Sequence, residues 1–205
     1  MQLMTAYKRR YVIVGTNKGR IYHYPVGGSN EEPGELNVEV YINPNNNSAA
    51  ILHLRQAFHK HGMVYVTAFG WQIINALRSE DSGEFCRFDD DGNAFRISSA
   101  ITDKSTGKSL LYVATANGEL LVYDLKQNHK RGQPCLPVHR IFVVNRLSPL
   151  SLQIIPNHLL VATDSELYVY HVKWLFKKKK KGAHRNFTIR KYNPFLFDWL
   201  FSTYK

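Results

Sequence analysis

Cysteine is scarce in this chain: Cys86 and Cys135 are the only two among 205 residues. Two thiols cannot build the disulfide framework of a small secreted scaffold or the four-ligand site of a structural zinc module. Their scarcity points to a reducing compartment, so the expected localisation is intracellular, in nucleus or cytoplasm. Long apolar runs are missing too. None approaches the roughly 18 residues that a membrane helix requires, and no apolar stretch of signal-peptide length follows the basic residues near the start. No membrane partner is expected. Helical periodicity is absent over any useful length. Acidic residues are few, 16 against 27 Lys and Arg, for a formal net charge of +11. That excess is local, because residues 173–205 hold ten basic residues and one acidic residue, Asp198. A basic field over the whole body would mark a nucleic-acid binder; here the first 172 residues are nearly neutral. Apolar residues at 44% and charged ones at 21% exclude wholesale disorder.

What is present is a repeat. Four segments share one pattern: YVIVGTNKGRIYHYPV from Tyr11, MVYVTAFGWQIINALR from Met63, LLYVATANGELLVYDL from Leu110 and HLLVATDSELYVYHV from His158. Each is an apolar, β-branched run ending in threonine, then a short turn, then a second alternating run. Thr16, Thr67, Thr115 and Thr163 mark equivalent points at spacings of 51, 48 and 48 residues. Gly19, Gly70 and Gly118 follow the first three threonines by three residues; the fourth segment is one residue shorter and lacks the glycine. Val, Ile, Tyr and Thr suit a pleated surface, and Asn17-Lys18-Gly19 or Asn117-Gly118 supplies the positive φ of a tight turn. Each segment therefore reads as a β-hairpin. Further strands are expected over 37–42, 49–55, 84–88, 94–101, 138–144, 150–155 and 186–192. Four strands at a period of about 48 residues are the pattern of propeller blades.

On these hairpins the chain resembles the WD-repeat-like β-propeller superfamily across roughly residues 10–192. Tyr123-Asp124 in VATANGELLVYDL stands where that family often has Trp-Asp, while Tyr24-Pro25 and Tyr170-His171 replace the dipeptide in their blades. GTNKGRIYHYP is also similar to blades of large ciliary WD-repeat proteins. The expected fold is all-β, a propeller or partial propeller of about four four-stranded blades near 11–42, 49–88, 94–144 and 150–192. A basic loop would span 177–185, and an aromatic C-terminal tail 193–205. Read by strands, the chain opens at the second strand of a blade and completes three more. An arc left open exposes strand edges and apolar blade faces. The preferred reading is thus a partial propeller completed by another chain or copy, over a compact four-bladed ring.

Two segments stand out as candidate partner-binding sites. Lys177, Lys178, Lys179, Lys180, Lys181 and Arg185 could act as an import signal or neutralise phosphates of RNA or DNA, or remain a solvated loop whose charges repel. In the tail, Phe197, Trp199 and Phe201 are apolar anchors for a partner groove or for packing across the last blade; Tyr192 is a weaker candidate. Other motifs dissolve on inspection. Asp89-Asp90-Asp91-Gly92-Asn93 lacks EF-hand spacing and reads as turn chemistry. Thr106-Gly107-Lys108-Ser109 lacks the earlier glycine of a phosphate loop, since residue 102 is Thr102. His59 and His61 have no third ligand at recognisable spacing. The sequons at Asn46 and Asn186 carry little meaning without a secretory signal.

No nucleophile elbow or catalytic set is marked, so the chain is expected not to be an enzyme, and neither a cofactor nor a metal nor a small-molecule substrate is inferred. The expected function is a scaffold or adaptor subunit that binds other proteins through loops on a rigid propeller. The alternative is a subunit of a ribonucleoprotein or chromatin complex that touches nucleic acid through the basic loop. A third reading, a ubiquitin-ligase substrate receptor, comes from the resemblance alone.

Overall fold

The computed structural model describes residues 2–6, 9–26, 34–36, 49–57, 62–75, 85–89, 93–103, 109–126, 135–143, 147–172 and 190–192. Strands fall into four antiparallel sheets of four. The first contains β1 (Gln2–Ala6), β2 (Arg9–Gly15), β3 (Ile21–Val26) and β4 (Gly34–Leu36). The second contains β5 (His53–Gln56), β6 (Gly62–Val66), β7 (Gly70–Asn75) and β8 (Cys86–Arg87). The third contains β9 (Ile97–Asp103), β10 (Leu110–Thr115), β11 (Glu119–Asp124) and β12 (His139–Phe142). The fourth contains β13 (Ser151–Ile155), β14 (His158–Ala162), β15 (Leu167–His171) and β16 (Arg190–Tyr192). In each sheet the strands lie in chain order. These are blades 1 to 4.

One expectation needs correcting. Blade 1 is not missing its first strand: Gln2–Ala6 pairs with β2 from Gln2 opposite Ile13 to Ala6 opposite Arg9. Only two residues, Tyr7 and Lys8, separate the strands, and QLMTA has no β-branched alternation to announce it. The expected strands over 84–88, 94–101, 138–144 and 150–155 appear with shorter or shifted bounds, whereas 37–42 lies outside the described residues.

The repeated threonine has a local cause. Its side chain and backbone close the turn between the second and third strands of each blade. Thr67 Oγ1 accepts from the N–H groups of Phe69 and Gly70 and donates to the Gly70 carbonyl, at 3.1, 3.2 and 3.2 Å. Thr16 Oγ1 accepts from Lys18 and Arg20, Thr115 from Glu119, and Thr163 from Glu166. Gly19 and Gly118 take the positive φ the turn requires, 74° and 75°. Gly70 serves differently. A Cβ there would strike the Cys86 carbonyl and come within 2.7 Å of the Phe85 ring, so its lack of a side chain lets β8 approach β7. In blade 4, which lacks the glycine, Thr163 N–H and Oγ1 both donate to the Glu166 carbonyl, at 2.8 and 3.0 Å.

Alternation then decides which face packs where. Along β6, Met63 and Tyr65 join Tyr11, Ile13 and Ile21 of blade 1, while Val64 and Val66 join Leu111, Val113, Leu121 and Tyr123 of blade 3. Along β10, Leu110, Tyr112 and Ala114 turn the other way, onto Leu159, Val161, Tyr168 and Tyr170 of blade 4. Every residue of β6 and β10 is consequently buried. First strands of consecutive blades lie against one another. Arg55 Nε donates to the Ala100 carbonyl at 2.7 Å, and Thr102 Oγ1 to the Gln56 carbonyl at 2.8 Å, stitching β5 to β9. The three clusters join blades 1–2, 2–3 and 3–4; among the described residues none joins blade 4 back to blade 1.

The cysteines are a second correction. Cys86 and Cys135, both 2% exposed, form a disulfide, in place of the two free thiols expected. Their separation of 49 residues is one repeat length, so the fold brings them together: Cys86 lies in the outer strand of blade 2 and Cys135 just ahead of that of blade 3. The Cα atoms are 5.3 Å apart, inside the usual range for a bridge, and Cys135 N–H donates to the Arg87 carbonyl at 3.1 Å.

Candidate interaction surfaces

The residues singled out from the sequence, Lys177, Lys178, Lys179, Lys180, Lys181, Arg185, Phe197, Trp199 and Phe201, all lie outside the described residues. Of Tyr192, the backbone is described as the last residue of β16. In the chain the lysine run falls between β15 and β16 of blade 4. His59, His61, Lys108 and both sequons lie outside the described residues as well.

Two surfaces emerge among the described residues. The first is the face of blade 1 turned away from blade 2. Tyr11, Ile13 and Ile21 point into the blade 1–2 cluster, so Val12, Val14, Tyr22 and Tyr24 point the opposite way. Val12, Val14 and Tyr22 are half-buried, while Tyr24 and Val26 are 41% and 39% exposed. In matching register, Met63, Tyr65, Gln72 and Ile74 of blade 2 and Leu111, Val113, Leu121 and Tyr123 of blade 3 are buried. The alternation that would have revealed this is visible in YVIVG and IYHYPV, where both faces are apolar.

The second surface is the rim of blade 3. Leu136, Val138 and Phe142 are 75%, 38% and 48% exposed. They alternate with Pro137, His139 and Ile141, which are half-buried, before the fully buried Val143. Arg140 sits within this exposed set, and its guanidinium lies 3.6 Å from the Glu119 carboxylate. The signal was the alternation in LPVHRIF.

Among the described residues no group of three or more His, Cys, Asp or Glu could hold a metal ion. His158 and His171 meet ring to ring at 4.9 Å, as directly opposed residues of β14 and β15. Asn93 donates its side-chain amide to the Asp89 carboxylate at 2.8 Å; Asp90, Asp91 and Gly92 lie outside the described residues. Burial, followed by the charge of Arg55, lowers the His53 pKa to about 4, so this imidazole is neutral near pH 7. Burial raises the Tyr170 phenol to about 12, and raises Tyr112 further with help from the Asp103 carboxylate. These are the shifts of packed interior groups. No helix among the described residues is long and apolar enough to cross a membrane.

No protein-family model matches the chain, and no curated protein matches it either. Solved structures do. Apo AztD from Citrobacter koseri aligns over 93% of this chain and 48% of its own, at 12% identity and a TM-score of 0.53. The β-propeller domain of Cps50 (Swd1) from Myceliophteria thermophila aligns over 91% and 55%, at 9% identity and TM-score 0.57. A chain of the Mitotic Checkpoint Complex aligns over 84% and 48%, at 9% identity and TM-score 0.54. The chain thus spans about half the length of each. Identities this low speak to architecture alone. Four antiparallel sheets of four strands, packed face to face and matched to these structures, give the chain a β-propeller fold, seen here as four blades.

Proposed function

We propose that this chain is a non-enzymatic scaffold or adaptor subunit of a larger assembly, and that blades beyond these four complete its ring. The observation that carries this is the outward face of blade 1. Its tyrosine and valines have the chemistry of an interblade face, yet Tyr24 and Val26 stand about 40% exposed. Apolar surface of this kind is stabilised by roughly 25 cal/mol for each Å² removed from water, so a covering blade would bind it favourably. Support also comes from the solved structures, of which this chain spans about half, and from one of them belonging by its name to a complex.

Light scattering after size exclusion, alongside a thermal melt, tests the reading. A defined oligomer, or recovery with a co-purifying propeller protein, is the expected result. A monodisperse monomer that melts cooperatively and is unaffected by Tyr24→Lys would refute it.

A second reading has its own observation in the lysine run at residues 177–181. Contact with a nucleic-acid backbone through it would give affinity falling steeply with salt, and falling again when the five lysines become alanine. A flat salt response would remove that reading and leave the scaffold intact.

A further inference from the structure

We propose that Arg55 is the cation of an oxyanion-binding site at the seam between β5 and β9, and that the site takes a phosphate or a carboxylate. Leu54 belongs to the blade 1–2 cluster, so His53 and Arg55, which alternate with it along β5, face blade 3. Ala100 belongs to the blade 2–3 cluster and Ile101 packs against the blade 3–4 cluster, so Thr102 faces blade 2. Both strands are the first of their blades, and first strands of consecutive blades lie against one another, on the side where a propeller encloses its channel. His53, Arg55 and Thr102 are half-buried there, with Leu52 and Gln56 exposed beside them.

What marks the seam is a charge without a counter-charge. Nε of Arg55 donates to the Ala100 carbonyl at 2.7 Å and Nη1 to the Leu54 carbonyl at 2.9 Å. Both acceptors are neutral, and among the described residues no carboxylate pairs with the guanidinium. Asp103 is the one carboxylate in either strand; it alternates with Thr102 and acts on Tyr112, on the blade 4 side. Burial lowers the pKa of Arg55, as desolvation does to a cation that no anion holds. Charged groups withdrawn from water ordinarily have such a partner.

The seam is also built to receive one. A guanidinium carries five N–H groups; with two engaged, one on Nη1 and both on Nη2 are left. They lie in the planar fork that suits carboxylate and phosphate oxygens. The two backbone bonds already fix the side chain, and Thr102 Oγ1 holds the strands together through the Gln56 carbonyl at 2.8 Å, so binding has little left to order. His53, two residues along the same face and neutral near pH 7, offers one further N–H. The site lies between blades that the chain itself supplies, so it stands whether or not further blades complete the ring.

The probe is inorganic phosphate, titrated at pH 7 and constant ionic strength into the isotope-labelled 205-residue chain, with the backbone amides of His53, Arg55, Ala100 and Thr102 followed by NMR. A second arm uses the α-amide of N-acetylglutamate, whose single carboxylate stands for an acidic side chain of a partner protein. Saturating shifts at these amides are expected, and the arm that saturates identifies the source, free anion or partner side chain. Arg55→Gln should weaken the response about tenfold or more, while Lys18→Gln, which removes an exposed cation elsewhere, should leave it unchanged. Mapping on the parent chain does not depend on either variant folding. Absence of saturation in both arms up to about 10 mM, shifts confined to other basic positions such as the lysine run at 177–181, or an equal response in Arg55→Gln would each overturn the proposal.

Discussion

Reducing the Cys86–Cys135 bond should cost this protein a substantial part of its stability. The bridge closes a loop of 49 residues. In the chain-entropy treatment a loop of that length removes about 4 kcal/mol of conformational freedom from the unfolded chain at 25 °C. For a chain near 200 residues each kcal/mol moves the melting temperature by about 2–4 °C, so reduction should lower it by roughly 8–16 °C. The native arrangement should survive, because Cys86 and Cys135 are members of the blade 2–3 cluster with or without the bond. Trp71 is a local reporter: it is 2% exposed and directly opposite Cys86 in the β7–β8 ladder. Urea unfolding, followed by tryptophan emission with and without dithiothreitol, gives the difference in midpoint. Thiol titration of the unreduced protein in denaturant should find no free thiol. Two free thiols in that titration, or melting temperatures within about 2 °C of one another, would show that the fold juxtaposes the sulfurs without using the bond.

Three further outcomes follow from local geometry. Gly70→Ala drives a methyl group into the Cys86 carbonyl and the Phe85 ring; a loss of about 1–3 kcal/mol is expected in chemical denaturation, and an unchanged midpoint would contradict the close approach of β8. Thr67→Val keeps the shape of a buried residue but removes three hydrogen bonds from its turn, for a loss of about 1–3 kcal/mol measured the same way, whereas Thr→Ser should recover most of it. His53 titrates near 4 in the folded chain, below its ordinary 6.5. Between those values the unfolded chain binds a proton that the native chain does not, so His53 contributes stability that is full above pH 6.5 and lost as pH falls toward 4. Solvent screening of this partly exposed side chain limits the effect to roughly 1 kcal/mol, and His53→Gln should flatten the urea midpoint by that much across the window; a slope unchanged by the substitution would contradict it.

Much of the architecture was legible because it is written in local chemistry. The threonines at a period near 48 residues are turn-closing groups, so their spacing reports blade spacing directly. Strands such as LLYVAT, apolar on both faces, already imply a sheet sandwiched between two others. What escaped was whatever depends on contacts between repeats. The first strand hid because QLMTA carries no alternation of its own and is recruited by β2. The pairing of Cys86 with Cys135 followed from blade-to-blade register, which a count of two cysteines does not contain. Gly70 was grouped with Gly19 and Gly118 by position, though it answers to steric crowding and they answer to backbone handedness.

The three packing clusters also set how the molecule should come apart. Blades 2 and 3 are each held by two neighbours, blades 1 and 4 by one among the described residues. In a linear array with nearest-neighbour coupling, terminal units open first and interior units share the longest-lived protection. Amide exchange should therefore be slowest in β6, β10 and β11 and fastest in β2 and β3, a gradient running along the array instead of outward from one centre. A blade seated on Tyr24 and Val26 would extend that slow-exchanging block by one unit, so docking at the end of the arc would register as slowed exchange inside blade 1.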